Sequence, residues 1–524
     1  MAPASKPVSG FHNSRMKLLP IGFAVLFAVA HTQSPLYYSN QNQYFLHGAA
    51  TAGVGDLPSD WLANTADPTP AFSAFVAFSL KYLGEWPFHV AFFLSLMAYF
   101  LSAWWLIKPS AWAGPLFAAL FTLLHAGIFR WASYRLLGAD YPWFFHCGLA
   151  SQYILGAGLQ PSVIGVALLT SAAAYRNERT LLAVALAAGA NLIHSTYLLP
   201  AALLIAGYLV GEAARGKWKT VAVGAVLGIA LVVPVGVRIF TVFAPNQDCF
   251  SEAQRILAEV RIPHHTQPAR WFDWVAGLQL LWILAGLVAL RRTRLFLPLC
   301  VTCVLAFLGA GAAIVTANPT LSLMFPWRVS AVLIPVATAV LVAKLADRGQ
   351  RLDWPVPAIV LALLLLNTGY LYRQSLGYRE PEGEDAALRY VAENHKPGEV
   401  YLVPARFPKP TTKRGVYSNT FAEPPDPSAV VYFEMARFRL RTGAALYIDF
   451  KAIPYRDTEV MEWHRRVGRC VDWFGRPDWD ARGAAAEVAG EGITHVVAPI
   501  RLGLKSSRLE QVYEGGAYRV YKLK

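Results

Sequence analysis

The sequence predicts a polytopic α-helical membrane protein with about 11 transmembrane helices, followed by a C-terminal soluble α/β domain. Of its 524 residues, 55% are hydrophobic and only 15% are charged, and the mean hydropathy is +0.37. A soluble domain carries roughly 25% charged residues, so a water-soluble fold would have to bury more apolar surface than its geometry allows. This composition excludes a soluble enzyme, a disordered chain and a disulfide-built secreted scaffold.

Eleven apolar segments provide the predicted membrane spans, because a helix needs about 20 mostly apolar residues to cross a bilayer. They occupy residues 17–31, 87–107, 111–129, 161–175, 180–193, 196–211, 219–239, 271–290, 295–316, 327–345 and 355–372. The segments between 161 and 211 are short and broken. The spans predict a transmembrane domain over residues 1–372, and the less apolar residues 373–524 are predicted to form a separate domain.

Basic residues set the predicted orientation through the positive-inside rule. With a cytoplasmic N-terminus, every inside connection carries Lys or Arg, namely Lys6, Arg15 and Lys17, Lys108, Arg176 and Arg179, Arg215, Lys217 and Lys219, Arg291, Arg292 and Arg294, and Lys344, Arg348 and Arg351. The net charge of +14 lies mainly in this apolar part of the chain, so it sets topology and does not indicate nucleic acid. An odd number of spans puts loops 32–86, 130–160 and 240–270 on the outer face, together with residues 373–524.

The C-terminal domain is predicted to be α/β because helix and strand patterns alternate with glycine between them. Helices are expected at 384–395 and 481–490, and strands at 399–404, 444–450, 494–499 and 518–523. The segment 437–467 is rich in polar and aromatic residues, including Lys451, Arg465 and Arg466. It either recognises a sugar or phosphate or forms a solvated helix in which Glu462 pairs with the two arginines.

The first outer loop carries three aspartates, Asp56, Asp60 and Asp67, among turn-forming residues. A carboxylate at the membrane–water interface can remove the proton of an acceptor hydroxyl or hold a divalent cation such as Mg²⁺ or Mn²⁺. We assign the catalytic base to Asp60 or Asp56, and substrate contacts to Asp67 and Trp61. The alternative is that these aspartates cap helices and turns, since Asp60 precedes Trp61 and Asp67 precedes a proline.

The third long outer loop ends in two histidines and an arginine at the start of a span. His264 and His265 lie between prolines, and Arg270 precedes a tryptophan. A planar guanidinium donates two parallel hydrogen bonds to a phosphate, so we assign Arg270 to a carrier phosphate and both histidines to the substrate. Arg270 is alternatively an interface anchor, because arginine favours that depth in the membrane.

Other basic residues are predicted on the same outer side. Arg328 stands at the outer end of a span, Arg130 and Arg135 belong to a second outer cluster, and His194 lies at the break between two short spans. Because they share one side, we expect the arginines to bind the phosphate of a lipid whose tail lies in the bilayer. His194 is expected beside the substrate.

Acidic residues are almost absent from the predicted spans, whereas the first outer loop has several. Transporters usually place ionisable residues near the bilayer midplane. This distribution favours chemistry at the outer membrane surface over a conduction path.

The whole layout resembles the GT-C superfamily of integral-membrane glycosyltransferases, most of all its uncharacterised bacterial branch. The shared features are the number of spans, the acidic first outer loop, the short broken spans and the outer α/β domain. In that family an acidic residue of the first outer loop serves as base or metal ligand, and Asp56 or Asp60 matches it by position. Many members carry an Asp-Glu pair soon after the first span, where this chain has Asn40-Gln41-Asn42-Gln43.

The resemblance implies a GT-C-like membrane domain that moves a hexose or pentose from a polyprenyl-phosphate or polyprenyl-diphosphate carrier. The acceptor would be a glycan, lipid or protein on the outer face of a bacterial inner membrane, with the C-terminal domain in the periplasm. The implied partners are this donor, the acceptor and membrane lipid, with no nucleic acid, and the cofactor that the family allows is Mg²⁺ or Mn²⁺. Two alternatives are a transporter or flippase of a lipid-linked saccharide and, given the amides at 40–43, a non-catalytic component of polysaccharide assembly.

Overall fold

The computed structural model of the protein describes residues 10–31, 36–37, 39–110, 112–137, 141–156, 158–348, 355–373, 383–407, 409–410, 417–418, 434–475 and 477–524. Most of these residues are helical, and a small sheet occupies the C-terminal region. The predicted domain boundary at residue 373 adjoins residues outside the described part of the chain and therefore stays a prediction.

The described helices overlap all of the predicted spans. These helices are Gly10–Ala30, Trp86–Ile107, Gly114–His125, Val166–Arg176, Thr180–Ile193, Leu198–Ala213, Trp218–Val242, Trp274–Leu290, Phe296–Thr316, Ser330–Arg348 and Pro355–Arg373. By length and composition, 5 helical stretches in the described chain can cross a membrane: Trp86–Ile107, Ser195–Ala213, Trp218–Val242, Phe296–Thr316 and Pro319–Arg348. The helical membrane character is confirmed, whereas the number of crossings and the orientation stay predictions.

The long helices carry apolar side chains on their outer surface. On Trp218–Val242, Val226, Ile229 and Phe240 are largely exposed, and Phe307 is equally exposed on a neighbouring helix. Soluble monomers rarely expose continuous apolar surface of this kind. These faces are suited to contact with the acyl chains of a bilayer.

Short helices occupy the connections between the long ones. They include Gln41–Tyr44, Leu46–Thr51, Pro70–Tyr82, Gly127–Leu137, Tyr141–Phe144, Phe250–Arg255, Ile256–Arg261, Pro263–Thr266, Pro268–Trp271 and Pro319–Leu323. The helix Pro70–Tyr82 is additional to those that the sequence predicts. Prolines at the first positions of several of these helices explain where they begin.

The C-terminal sheet has five strands in the described chain, in the spatial order Ala445–Leu446, Val400–Leu402, His495–Pro499, Tyr518–Leu523 and Leu509–Gly515. The first three are parallel and the last two are antiparallel to their neighbours. Helices Asp385–Asn394, Phe438–Thr442, Asp457–Phe474 and Ala484–Gly490 complete the region. The predicted helices and strands are present, whereas Leu509–Gly515 is an additional edge strand.

The C-terminal region packs on the first outer loop. The Asp56 backbone N–H donates to the Gly443 carbonyl (2.7 Å), and the Gly398 N–H donates to Asp56 Oδ2 (3.0 Å). Gln43 Nε2 donates to the Tyr455 hydroxyl at 2.6 Å. These contacts place the first outer loop and the C-terminal region on the same side of the long helices.

A pair of glycine substitutions tests this contact. A Cβ on Gly55 would lie 2.4 Å from the Gly443 carbonyl oxygen, whereas a Cβ on Gly53 meets nothing within 4 Å. Both glycines have positive φ (+51° and +77°), so alanine is strained at either position. We expect Gly55→Ala to cost roughly 1–3 kcal/mol more than Gly53→Ala, because only the former is overpacked. Thermal unfolding of the purified protein in detergent measures the difference, and equal losses would contradict the contact.

Candidate functional site

A cavity of about 560 Å³ lies where the ends of several helices meet the C-terminal region. Its walls come from segments that are distant in the sequence, around residues 40–44, 68–70, 151–162, 191–196, 234–243, 254–265, 323–328 and 451–455. Ligand sites usually measure about 300–1,000 Å³. The cavity is therefore large enough for a small-molecule headgroup.

The lining of this cavity is strongly basic. Arg238, Arg261, Arg328 and Lys451 contribute to it, and none of the described lining residues is Asp or Glu. Removing such a charge from water costs several kcal/mol unless an opposite charge or hydrogen bonds replace the hydration. A cavity of this composition suits a ligand with negative charge.

Arg328 brings a buried charge to this lining. It is only 9% exposed, in the short turn Pro326–Val329. Its guanidinium carbon lies 5.3 Å from the ring centre of Tyr197 and 5.7 Å from that of Phe325, and it forms no ion pair with a described carboxylate. Each cation–π contact stabilises the charge by about 1 kcal/mol, which is less than the cost of burying it. The charge of Arg328 is left for a ligand.

Arg261 and Lys451 are neighbours in the same wall. Arg261 Nη2 donates to the Lys451 carbonyl, while Arg261 Nε is buried with no hydrogen-bond partner among the described residues. Burial, together with the nearby Arg261 charge, lowers the pKa of the Lys451 ammonium well below its usual range. An anion in the cavity would oppose this effect and favour the charged form of Lys451.

Arg238 enters the cavity from the last turns of Trp218–Val242. Its Nη2 donates to the Asp67 carbonyl at 2.8 Å, and its Nε is buried with no partner in the part of the chain that the structure describes. The Asp67 carboxylate points back into its own turn and accepts from the Thr69 N–H (2.8 Å). Asp67 therefore positions Arg238 through its backbone, and its carboxylate caps a turn as the alternative reading of the sequence expects.

Three of the predicted substrate residues, His194, His264 and His265, line the cavity. The rings of His264 and His265 lie 3.9 Å apart between centres. His265 Nδ1 is 2.7 Å from the Ala150 carbonyl oxygen, and Trp327 Nε1 donates to the His265 carbonyl at 3.0 Å. Burial, assisted by nearby positive charges, lowers the pKa of His265 to about 3. Its ring is therefore neutral near pH 7.

The rest of the lining is rich in amides and hydroxyls, among them Asn40, Gln43, Tyr44, Gln152, Tyr153, Gln160, Asn191, Ser195, Thr196 and Tyr455. Asn40 Nδ2 donates to the Tyr153 hydroxyl at 3.3 Å. Groups of this kind can donate to and accept from sugar hydroxyls. Two residues of the amide stretch at 40–43 thus face the cavity, at the place where the resembled family has acidic residues.

Asp60 lies outside the lining and is only 1% exposed. Its Oδ1 accepts from the N–H groups of Leu62 (2.8 Å) and Ala63 (3.2 Å). Its Oδ2 accepts from Arg439 Nε (2.7 Å) and from the Leu446 N–H (2.8 Å). Four donors occupy both oxygens, which suits a structural role, and the base role of Asp60 stays a prediction.

Asp56 and Trp61 also lie outside the described lining. Asp56 accepts from the Gly398 N–H and from the Ser59 hydroxyl, each at 3.0 Å. The guanidinium carbon of Arg466 lies 4.3 Å from the Trp61 ring centre. Both residues join the first outer loop to the C-terminal region, and the catalytic role of Asp56 and the substrate contact of Trp61 stay predictions.

The predicted phosphate ligands do not all converge. Arg328 lines the cavity, whereas Arg270 is exposed outside it, with Nε 3.4 Å from Gln267 Oε1. Arg130 stacks on Trp143, its guanidinium carbon 4.5 Å from the ring centre, and does not line the cavity. The side chain of Arg135 lies outside the described residues. Arg270 and Arg130 are therefore not brought together with Arg328, and their phosphate-binding roles stay predictions.

Two cavity arginines, Arg238 and Arg261, are missing from the sequence prediction. Arg238 had a signal, because it is a cation at the predicted outer end of the apolar segment 219–239, against the positive-inside rule. Arg261 had none, since its place depends on how the loop folds before His264. Lys451 belongs to a segment that the sequence analysis does single out for sugar or phosphate recognition.

The described cavity lining does not fit the divalent cation that the family resemblance allows. Mg²⁺ and Mn²⁺ prefer carboxylate and carbonyl oxygens, whereas the charged side chains of this lining are cations. Within the described ranges, no group of three or more His, Cys, Asp or Glu side chains is arranged to hold a metal ion.

Comparison with known proteins gives two similarities. Residues 418–470, which include Lys451 and Tyr455 of the cavity, match a domain of unknown function (DUF6798). Among solved structures, ArnT from Cupriavidus metallidurans bound to undecaprenyl phosphate is similar at 13% identity, with 98% of each chain covered and a TM-score of 0.46. No curated protein matches the sequence.

Proposed function

We propose that the protein is a membrane glycosyltransferase that takes a sugar from a polyprenyl-phosphate or polyprenyl-diphosphate carrier. The acceptor is a glycan, lipid or protein at the membrane surface. The observation that carries the proposal is a single cavity with three arginines, Arg238, Arg261 and Arg328, none paired with a described carboxylate. A phosphate supplies the opposite charge and accepts the hydrogen bonds that the buried Nε groups lack.

A lipid-linked phosphate accounts for the apolar part of the same cavity. Pro234, Val235 and Ile239 line it from the helix Trp218–Val242, which also has largely exposed apolar side chains. Apolar surface beside a cationic group is the arrangement that holds an acyl or prenyl chain next to its phosphate. A water-soluble sugar nucleotide would leave this apolar wall without a partner.

The chemistry of transfer follows from these groups. The bond between the anomeric carbon and a phosphate oxygen breaks, and its electron pair leaves with the phosphate. Arg328 and the neighbouring arginines stabilise the charge that develops there, and one preorganised donor of this kind accelerates a reaction by about 10²–10³. The amide and tyrosine side chains hold the sugar hydroxyls while the acceptor oxygen forms the new bond.

Lipid binding is the first test of this proposal. Undecaprenyl phosphate, the lipid in the ArnT structure, should bind the purified protein, and undecaprenol, which lacks the phosphate, should not. Native mass spectrometry from detergent measures both. Equal binding of the two lipids would contradict a phosphate-binding cavity.

Turnover separates the candidate functions. Purified protein is mixed with undecaprenyl-phosphate-linked glucose, mannose or arabinose and an envelope extract as acceptor, and mass spectrometry follows release of undecaprenyl phosphate. Transfer supports the proposal. Binding with movement of the intact donor across vesicles would favour a flippase, and binding without either would favour a non-catalytic assembly component. A strain in which the gene for this protein is deleted should accumulate the lipid-linked sugar donor and lose one surface glycan modification.

A further inference from the structure

Transfer to a hydroxyl needs a group that takes its proton, and none of the described cavity residues is a carboxylate. The lining side chains that can accept a proton are Lys451, His194, His264 and His265. Among these, His265 is the best-defined candidate for the base, because a hydrogen bond at one ring nitrogen distinguishes it from the other.

Hydrogen bonding fixes the tautomer of His265. Its Nδ1 lies 2.7 Å from the Ala150 carbonyl oxygen. Because a carbonyl oxygen can only accept, Nδ1 carries the hydrogen, and in the neutral ring Nε2 carries the lone pair. Nε2 has no hydrogen-bond partner among the described residues, and the ring lines the cavity. The ring therefore has a free proton-accepting nitrogen at the site.

The backbone that orients His265 is strained. Ala150 has φ 55° and ψ 32°, and Ser151 also has φ 55°, a left-handed conformation that is unfavourable for residues with a Cβ. The turn is held in place because the Leu149 N–H donates to Ser330 Oγ at 2.8 Å. Strain that the surroundings maintain is concentrated at functional sites. Here it directs the Ala150 carbonyl at His265 Nδ1.

The positive charges that face His265 make the pKa of its ring depend on whether the donor is bound. Arg261, Arg328 and Lys451 all lower the pKa of the ring, and His264 stacks against it. A bound phosphate opposes these positive charges and raises the pKa of His265 towards its ordinary value. The ring becomes a stronger base when the donor is in place, which limits proton removal in the empty site.

We propose that His265 is the general base of the transfer reaction. Nε2 takes the proton of the acceptor hydroxyl as its oxygen attacks the anomeric carbon, the carbon–phosphate oxygen bond breaks, and the electron pair leaves on the phosphate. The imidazolium then passes its proton to water or to the departing phosphate. This inference rests on the proposed glycosyltransferase function.

The test compares His265→Gln with a matched control, His395→Gln. His395 Nδ1 also lies near a backbone carbonyl, that of Val391 at 3.1 Å, but His395 is not part of the cavity lining. We expect His265→Gln to lower kcat by about 10²–10⁴ while undecaprenyl phosphate binding changes less than about threefold. His395→Gln should behave as wild type. Loss of binding together with activity, or retention of most of kcat, would overturn the assignment.

Azide gives a second readout that a merely structural role would not move. Azide is already an anion, so its nitrogen forms the bond to the anomeric carbon with no proton to remove, and polyprenyl phosphate leaves as before. With azide present, His265→Gln should again consume the donor, and the product should be a glycosyl azide. The rate of the wild type should change little. A variant that binds the lipid but shows no rescue would count against the base role.

The pH dependence of kcat is a third test of the base role of His265. Because protonated His265 cannot accept a proton, kcat of the wild type should fall on the acid side, and His265→Gln should lose that fall. Identical pH profiles of kcat in the wild type and His265→Gln would overturn the proposal.

If no donor is turned over, diethyl pyrocarbonate labelling at pH 7 tests His265 separately from the proposed function. His265 should be modified, and undecaprenyl phosphate should protect it; an unreactive ring would refute the free Nε2.

Discussion

Replacing Arg328 by glutamine is expected to lower transfer by at least about 100-fold and undecaprenyl phosphate binding by at least about tenfold. A hydrogen bond to a charged group contributes about 1.5–3 kcal/mol, and 1.4 kcal/mol corresponds to a factor of ten in affinity. The larger effect on rate arises because the phosphate gains charge as it leaves. Native mass spectrometry with undecaprenyl phosphate and initial rates with the competent donor measure the two effects.

Arg270→Gln is the matched control, because Arg270 is an exposed arginine outside the cavity. Binding and rate should stay close to wild type in this variant. Without lipid, Arg328→Gln should not lower the thermal unfolding midpoint, since it removes a buried charge that has no described carboxylate partner. With lipid, the wild type should be stabilised more than the variant. Equal losses in the two variants, or unfolding of Arg328→Gln without lipid, would show that Arg328 is structural.

Local patterns in the sequence predict much of this fold. Apolar segments of helical length anticipate the long helices because their signal lies within each segment. The same is true of the ion pairs on the helix Asp457–Phe474, where Glu462 meets Arg465 and Arg466 at 2.7 Å, as one reading of the sequence expects. The edge strand Leu509–Gly515 is harder to find, because its polar residues are exposed and the alternation of apolar residues is weak.

The site depends on contacts between distant segments, which a single sequence does not specify. Asp60 shows this: its capping bonds are two and three residues away, but its partner Arg439 is 379 residues away. The spans predict that Arg270 and Arg328 share the outer side, but which of them faces the cavity is decided by the fold of the intervening loops. Of the residues that the sequence singles out, Arg328, Lys451 and three histidines do line the basic cavity, whereas the identity of the base stays a prediction.

The buried ion pairs of Arg439 carry the second large prediction. Arg439 Nε donates to Asp60 Oδ2 at 2.7 Å, and its Nη1 pairs with Asp449, all three groups being almost fully buried. Arg439→Met leaves two buried carboxylates with no cation between them, which costs about 3–5 kcal/mol. We expect a large fall in the thermal unfolding midpoint in detergent. The fall should be greater at pH 8 than at pH 5, because burial raises the pKa of the Asp449 carboxyl and its protonation at the lower pH relieves the unpaired charge.

Arg465→Met is the control for this prediction, because Arg465 also contacts two carboxylates, Glu462 and Glu491, but is 43% exposed. Exposed pairs contribute about 0–1 kcal/mol, so a similar loss in both variants would contradict the importance of burial. Adding Asp60→Asn to Arg439→Met should recover part of the stability, since one of the two unpaired carboxylates becomes neutral.

The single variant Asp60→Asn separates the structural role from the catalytic one. Asparagine keeps an oxygen for the Leu62 and Ala63 N–H groups but loses the charge that faces Arg439, so stability should fall while each folded molecule keeps its transfer rate within a few-fold. The transfer rate per folded molecule, measured together with the thermal unfolding midpoint, distinguishes the structural role from the catalytic one. A loss of more than about 100-fold at unchanged stability is the size expected for a general base, and it would return that role to Asp60 and take it from His265.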